Sequence, residues 1–398
     1  MVLRNGREFL SIPGPTTVPD EVLSAMHRPA LDIYGSEMLD LTAGCLSDLR
    51  KIFSTAGQTY IYVANGHGVW EAALSNVLSR GDKVLVLESG RFAVGWGEMA
   101  RALGCEVEVL PGVPRGAVDP AAVEARLKAD RSGAIKAVLV VQIDTASGVV
   151  NDIAQIRAAI DRAKHGALFM VDTIASLATM PFEMDAWGVD VAVTGSQKGL
   201  MVPPGLGFIA ASERAKAAHR QAGLRTSYWD WTAREGEEHY QKYCGTPPEH
   251  LLFGLRKSLD MLFAEGLDNV FRRHALLAEA VRRAVERWAT EGVLAFNILR
   301  AEQRSNSVTM IRFKDGADPG ALQQYCSEML GVVLGVALGE LKGKGIRIAH
   351  MGHVNAPMIL GTLSAVEIGL GALRIPHGKG GVQAAIEWLA EMVPGNAR

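Results

Sequence analysis

Short apolar runs, rich in β-branched side chains and bounded by Gly, Pro, Asn or Asp, recur through the first half of the chain. They are Tyr60 to Val63, Lys83 to Leu87, Lys136 to Ile143, Leu168 to Asp172 and Val189 to Val193. Between them lie stretches of helical spacing: Val69 to Leu78, with Trp70, Ala73, Leu74, Val77 and Leu78 on one face, and Ile153 to His165. Strands that are apolar throughout and alternate with helices predict an α/β fold, a mostly parallel sheet covered on both faces. From about Gly266 the pattern changes. A long amphipathic helix, Val270 to Trp288, opens a unit with strands expected at Ser307 to Phe313, Val332 to Leu338 and Gly345 to Ala349. The chain therefore reads as an N-terminal arm (1–20), a large domain (21–265) and a smaller α+β C-terminal domain (266–398), divided near residues 264–268.

Composition narrows the class. With 398 residues, 48% hydrophobic and 21% charged, the chain suits a soluble protein of two domains. A formal net charge of −2 argues against a broad nucleic-acid footprint or an anionic-membrane surface. Cys45, Cys105, Cys244 and Cys326 are scattered without metal-ligand spacing, so neither zinc nor a disulfide framework is suggested. The N-terminus has no apolar leader and no stretch reads as a membrane span, so a cytoplasmic location is expected.

The chemistry gathers at strand ends. Val189 to Val193 runs into Thr194-Gly195-Ser196-Gln197-Lys198-Gly199, with Pro203-Pro204-Gly205 beyond, which sets one lysine on a tight turn. Alone, such a lysine is usually a solvated loop residue. Upstream, however, Leu168 to Val171 ends in Asp172. If the two strands are parallel, the amine and the carboxylate leave the same sheet edge, where open α/β sheets hold their ligands. Asn65-Gly66-His67-Gly68 opens a helix directly after a strand, a place for a bound phosphate. A dinucleotide fingerprint is disfavoured there, because the third glycine is replaced by Glu71. Arg347 stands among apolar residues of a strand, a poor position for a permanent charge unless it meets a carboxylate. His350, His353 and His377 read as structural rather than as ligands.

An amine and an acid so placed match pyridoxal 5'-phosphate chemistry, with Lys198 bonding the aldehyde and Asp172 keeping the ring nitrogen protonated. Asp172-Thr-Ile-Ala-Ser-Leu and Gly195-Ser-Gln-Lys-Gly-Leu, followed by Pro-Pro-Gly, resemble the class V aminotransferases, specifically the alanine/serine–glyoxylate group. The resemblance runs from Ile12-Pro13-Gly14-Pro15 to about Arg374. It implies the type I fold of pyridoxal-phosphate transferases, with a seven-stranded large-domain sheet. It also implies a ping-pong transaminase that takes an amino group from serine or alanine and gives it to glyoxylate.

Further roles follow from the resemblance. Gly66 and His67 would bind the cofactor phosphate, and Phe92 would stack on the pyridine ring, with Trp96 as a rival. Thr145 and Gln197 would contact the cofactor, and Arg347 would grip the substrate carboxylate. Ser147 is read instead as the cap of the helix beginning near Asn151-Asp152. Tyr243 and Thr246, on the aromatic, turn-rich segment 226–250, would complete the site of a partner subunit in a homodimer, and the N-terminal arm would cross to that partner. Two departures stand out: Asp144 occupies a position where relatives carry Glu, and Ile33-Tyr34 replaces a basic pair, which leaves the amino donor open between serine, alanine and aspartate, as the acceptor is between glyoxylate and pyruvate. A lyase of the cysteine-desulfurase type is the main rival, opposed by Gln197 where those enzymes carry His. A non-catalytic sensor would normally add a DNA-binding module.

Overall fold

The computed structural model describes residues 3–314 and 316–393; the outermost residues of the arm and of the C-terminal unit lie outside that range. A seven-stranded sheet forms the large domain. Its spatial order is Gln58–Ala64, Gly205–Ala211, Val191–Gly195, Leu168–Asp172, Ile135–Val141, Lys83–Leu87 and Glu106–Leu110. Gly205–Ala211 runs antiparallel to both neighbours, and the other pairings are parallel. The reason is local. After Val191–Gly195 the chain reverses through the lysine turn instead of a crossover helix, and the Ser196 hydroxyl fastens the turn by donating to Pro203 O (2.7 Å).

Alternate residues of each strand serve two separate cores. Val84, Val86, Leu139, Met170 and Val193 pack under the helices Gly66–Val77 and Arg91–Ala102. Leu85, Leu87, Val138, Val140 and Val171 face the helices Ser36–Phe53, Ile153–Arg162 and Glu249–Glu265. With each such side chain worth ~1.5–3 kcal/mol on burial, both layers hold the strand ends in fixed register. The strands Glu106–Leu110 and Gly205–Ala211 escape the sequence reading, one because it is only half buried, the other because glycines interrupt it.

At Gly266 the chain passes from the helix Glu249–Glu265 into Leu267–Trp288 with φ +84°, a left-handed backbone that glycine adopts without strain. Beyond it a five-stranded sheet is ordered Phe9–Ser11, Val332–Val336, Gly345–Ala349, Val308–Phe313 and Leu294–Phe296. Its first strand comes from the N-terminal arm. The arm is held against its own chain. Phe9–Ser11 pairs parallel with Val332–Leu334, Ser11 Oγ lies 2.7 Å from Thr362 Oγ1, and Thr16 N donates to Gln197 O (3.0 Å).

Segment 226–250 holds two short helical turns, Trp231–Arg234 and His239–Tyr243, gathered around a buried arginine. Arg234 donates to the carbonyls of Tyr228, Ile61 and Lys242 and lies over the Tyr62 ring, 4.0 Å from its centre. An always-charged fork is thus paired with backbone dipoles and a π face instead of a carboxylate.

Candidate active site

Three strand ends meet at one edge of the large sheet. The pairing places Val141 opposite Asp172 and Asp172 opposite Val193, so the chain leaves all three strands at the same level. The cavity there, of ≈ 150 Å³, is lined by Gly66, His67, Phe92, Thr145, Asp172, Gln197 and Lys198, together with Trp70. Tyr243, Thr246 and Arg347 are not among its walls. A larger cavity of ≈ 560 Å³, lined in part by Gly90, Arg91, Ser147 and Leu338, holds neither the lysine nor Asp172, which places the chemistry in the smaller one.

Lys198 is buried, and its Nζ donates to the carbonyl of Pro13 on the arm. The arm lies close over the lysine side chain at Gly14, whose φ of +95° is a left-handed backbone that glycine adopts without strain. Burial, and next the Arg347 charge, push the lysine down to about 8. Asp172 shifts the other way, up to about 7, chiefly because it is buried; the Ile174 amide and the Trp70 indole oppose the shift. Ile174 N donates to Oδ1 (2.6 Å) and Trp70 Nε1 to Oδ2 (2.8 Å). An amine and an acid brought toward neutrality from opposite sides can exchange protons with a bound molecule near pH 7.

The phosphate end has its own logic. Gly66–Val77 begins at Gly66, earlier than the periodicity indicates, with Asn65 as N-cap accepting from Gly68 N (3.2 Å). The amides of Gly66 and His67 stay open at the positive end of the helix dipole. Gln197 Oε1 is buried without a hydrogen-bond partner. His67 packs beside Trp70 (4.7 Å between ring centres), and burial lowers its affinity for a proton. Open amides, an orphaned buried acceptor, aromatic walls and an amine opposite a carboxylate fit a flat, phosphate-bearing aldehyde.

Trp96 does not compete with Phe92 for the ring. It is fully buried, stacks on Trp70 at 6.0 Å and stays outside the cavity. Ser147 is not a helix cap either. Its hydroxyl donates to Ser89 O (2.8 Å), and Asp152 caps Ile153–Arg162 instead, because a carboxylate immediately before the helix reaches Gln155 N (3.0 Å). Tyr243 departs from its expected reach toward a partner: it is buried in its own large-domain core, with its hydroxyl 2.8 Å from Thr42 Oγ1. Thr246 is exposed.

Arg347 is buried in Gly345–Ala349, with Nε donating to Val336 O (2.7 Å) and Nη1 to Thr145 O (3.0 Å). Among the described residues no carboxylate lies within ion-pairing distance of it. Burial lowers it to about 10, and Asp144 is the acid that opposes this. His350 is a satisfied core residue between Thr309 Oγ1 (3.0 Å) and Asn306 O (2.9 Å), and burial pushes it down to about 3. No group of three or more acids, histidines or cysteines among the described residues forms a metal site.

Trp70 and Pro13 are functional neighbours to which sequence reasoning gives no role, and Asp144 is noted there only as a departure from relatives. Trp70 had a signal: it falls four residues after Gly66 and so lies on the same helix face, above the phosphate end.

A seven-stranded, mostly parallel sheet carrying an amine and an acid at its carboxyl edge, with a smaller α+β unit beside it, defines a pyridoxal-phosphate enzyme of fold type I. The chain belongs to the class-V aminotransferases, whose family model matches residues 9–341. It is 40% identical over 396 residues to the serine–glyoxylate aminotransferase of Methylorubrum extorquens, a match that covers 98% of this chain and 97% of that protein. It is 38% identical over 381 residues to the L-aspartate–glyoxylate aminotransferase of Paracoccus denitrificans, covering 94% of each. Among solved structures, pyridoxamine–pyruvate aminotransferase from Mesorhizobium loti matches with a TM-score of 0.89 at 29% identity, covering 99% of this chain and 100% of that one.

Proposed function

We propose that this transaminase takes the amino group of a small L-amino acid, serine or alanine, and delivers it to glyoxylate by a ping-pong sequence, working as a homodimer. The observation that carries the reading is a buried arginine without a carboxylate partner among the described residues, Arg347, close enough to Lys198 for its charge to act on the amine. The printed activities of the Methylorubrum extorquens and Arabidopsis thaliana relatives, both serine–glyoxylate aminotransferases, agree with it.

When bound, pyridoxal 5'-phosphate supplies an aldehyde carbon for the amino group and a ring that takes up the electron pair of the breaking Cα–H bond. The Gly66 and His67 amides and the Gln197 side-chain N–H would hold the phosphate, Phe92 would cover the ring, and Asp172 would keep the ring nitrogen protonated. Arg347 orients the substrate through its α-carboxylate. With the cofactor in place, Lys198 Nζ would be the base positioned to take the Cα proton. Thr246 is exposed and open to a second subunit; for Tyr243 to join it, the hydroxyl must leave Thr42.

Single half-reactions test this reading. Serine or alanine, added alone to the loaded enzyme, converts the aldehyde absorbance to that of the amine form, and glyoxylate restores it. If no amino acid changes the spectrum, the proposal fails. Aspartate as donor is a second reading, favoured by the Paracoccus denitrificans relative; the cavity walls hold no arginine to pair with its extra carboxylate. Desulfurase chemistry has less support, since Cys45, Cys105 and Cys326 are buried and no cysteine lines the cavity.

A further inference from the structure

Asp144 is fully buried and makes no salt bridge among the described residues. Its two oxygens are taken up by the backbone. Oδ2 accepts from Phe92 N (2.9 Å) and Ala93 N (3.1 Å), the first-turn amides of the helix Arg91–Ala102, and Oδ1 accepts from Ala146 N (2.9 Å). One carboxylate therefore fixes the residue that covers the cavity and also the loop carrying Thr145. The Thr145 carbonyl in turn holds Arg347 Nη1 (3.0 Å). The fit is close: a Cβ at Gly90 would lie 2.4 Å from Asp144 Cγ. Ser147, on the same loop, locks the turn before the helix through Ser89 O (2.8 Å).

Charge supports the geometry. Among the described residues the buried guanidinium of Arg347 has no ion-pair partner, and Asp144 is the acid whose field acts on it. A negative charge held by three amides is less mobile than a side-chain pair and can balance Arg347 without occupying the fork that must receive a substrate carboxylate.

We propose that Asp144 is a positioning residue of the transaminase, which sets the seat of Phe92 against the cofactor and, through Thr145, the aim of Arg347 at the substrate carboxylate. This rests on the function proposed above. Asp144→Asn keeps shape but turns one acceptor into a donor that faces an amide, so one end of the clamp must open.

The test measures holoenzyme, with KM and kcat for serine or alanine and the circular dichroism induced in the cofactor band. Asp144→Asn is expected to raise KM at least about 10-fold, the factor associated with losing a charge-assisted hydrogen bond, and to change the induced band. Asp144→Glu, which keeps the charge, is expected to recover most of both. A variant that loses only thermal stability while KM and the induced band stay at wild-type values overturns the proposal. If Asp144→Asn does not fold, Gly90→Ala presses on the same carboxylate from its other side and is expected to shift KM and the band in the same direction; unchanged values there overturn it equally. Should the wild-type enzyme turn over no amino acid, it is the functional reading that fails, and the induced band alone then decides the role of Asp144.

Discussion

The Trp70 indole donates to Asp172 Oδ2 at 2.8 Å, while the second oxygen of that carboxylate takes the amide of Ile174 two residues on. Both donors favour the ionised acid against the cost of burial, and they fix the plane of the carboxylate. Trp70→Phe keeps an aromatic wall and removes one donor. It should weaken retention of the cofactor by about 10- to 150-fold, as expected for ~1.5–3 kcal/mol of a hydrogen bond to a charged group. Equilibrium dialysis of the loaded enzyme measures this, and an unchanged dissociation constant would show that the indole only packs.

Asp172→Asn should leave binding of the cofactor largely intact but lower kcat by about 100-fold or more, because a neutral amide does not hold a proton on the ring nitrogen. The check is kcat together with the cofactor absorbance. A kcat within threefold of wild type would count against an electronic role for this acid.

Lys198→Ala should abolish transamination at every pH. Borohydride reduction followed by peptide mapping should label wild-type Lys198 and leave the variant unlabelled. Label on another lysine would move the site elsewhere.

Arg347→Lys keeps a positive charge but loses the planar fork. KM for the amino donor should rise roughly 10- to 100-fold with a smaller change in kcat, the pattern of lost ground-state binding. An equal fall in kcat at unchanged KM would mean that Arg347 does not grip the substrate.

The two shifted groups give the cofactor-free protein a pH signature. Asp172, raised from its ordinary 3.8 to about 7, makes the native state bind more protons than the unfolded chain between those values, so its contribution to stability falls as pH rises through that window. Lys198, lowered from 10.5 to about 8, makes the native state bind fewer protons between those values, so its contribution grows from pH 8 upward. Together they place the weakest point between about pH 7 and 8. Urea unfolding of the cofactor-free wild type and of Asp172→Asn across this range should show the variant gaining relative stability from pH 4 to 7. A difference that does not vary with pH would contradict the shift.

Much of the architecture is legible from local pattern because the parallel strands are apolar on both sides and their helices keep a 3.6-residue period. The lysine turn is equally plain, since a β-branched run that stops at small residues and resumes after Pro203-Pro204-Gly205 has few other ways to fold. The reading was least successful where a side chain has two possible partners at different distances along the chain. Ser147 could cap a nearby helix, but Asp152 lies closer and has a stronger acceptor, so the serine turns to Ser89. Tyr243 carries the spacing of a residue that reaches outward, yet it lies in the core with its hydroxyl 2.8 Å from Thr42 Oγ1, distant in sequence.

The order of residues by itself therefore determined the apolar strands at the centre of the large sheet, that Asp172 ends one of them and Lys198 follows another, and that a glycine turn starts the helix nearest the phosphate end. Only the folded chain decided that Trp70 bonds to Asp172, that Asp144 ties Phe92 to the loop before Arg347, and that the Ile12–Thr16 arm lies over its own Lys198. Periodicity and turn chemistry act over a few residues and can be read along a line. A hydrogen bond between residues dozens or hundreds of positions apart depends on the packing that brings them within 3 Å, and no local pattern encodes it.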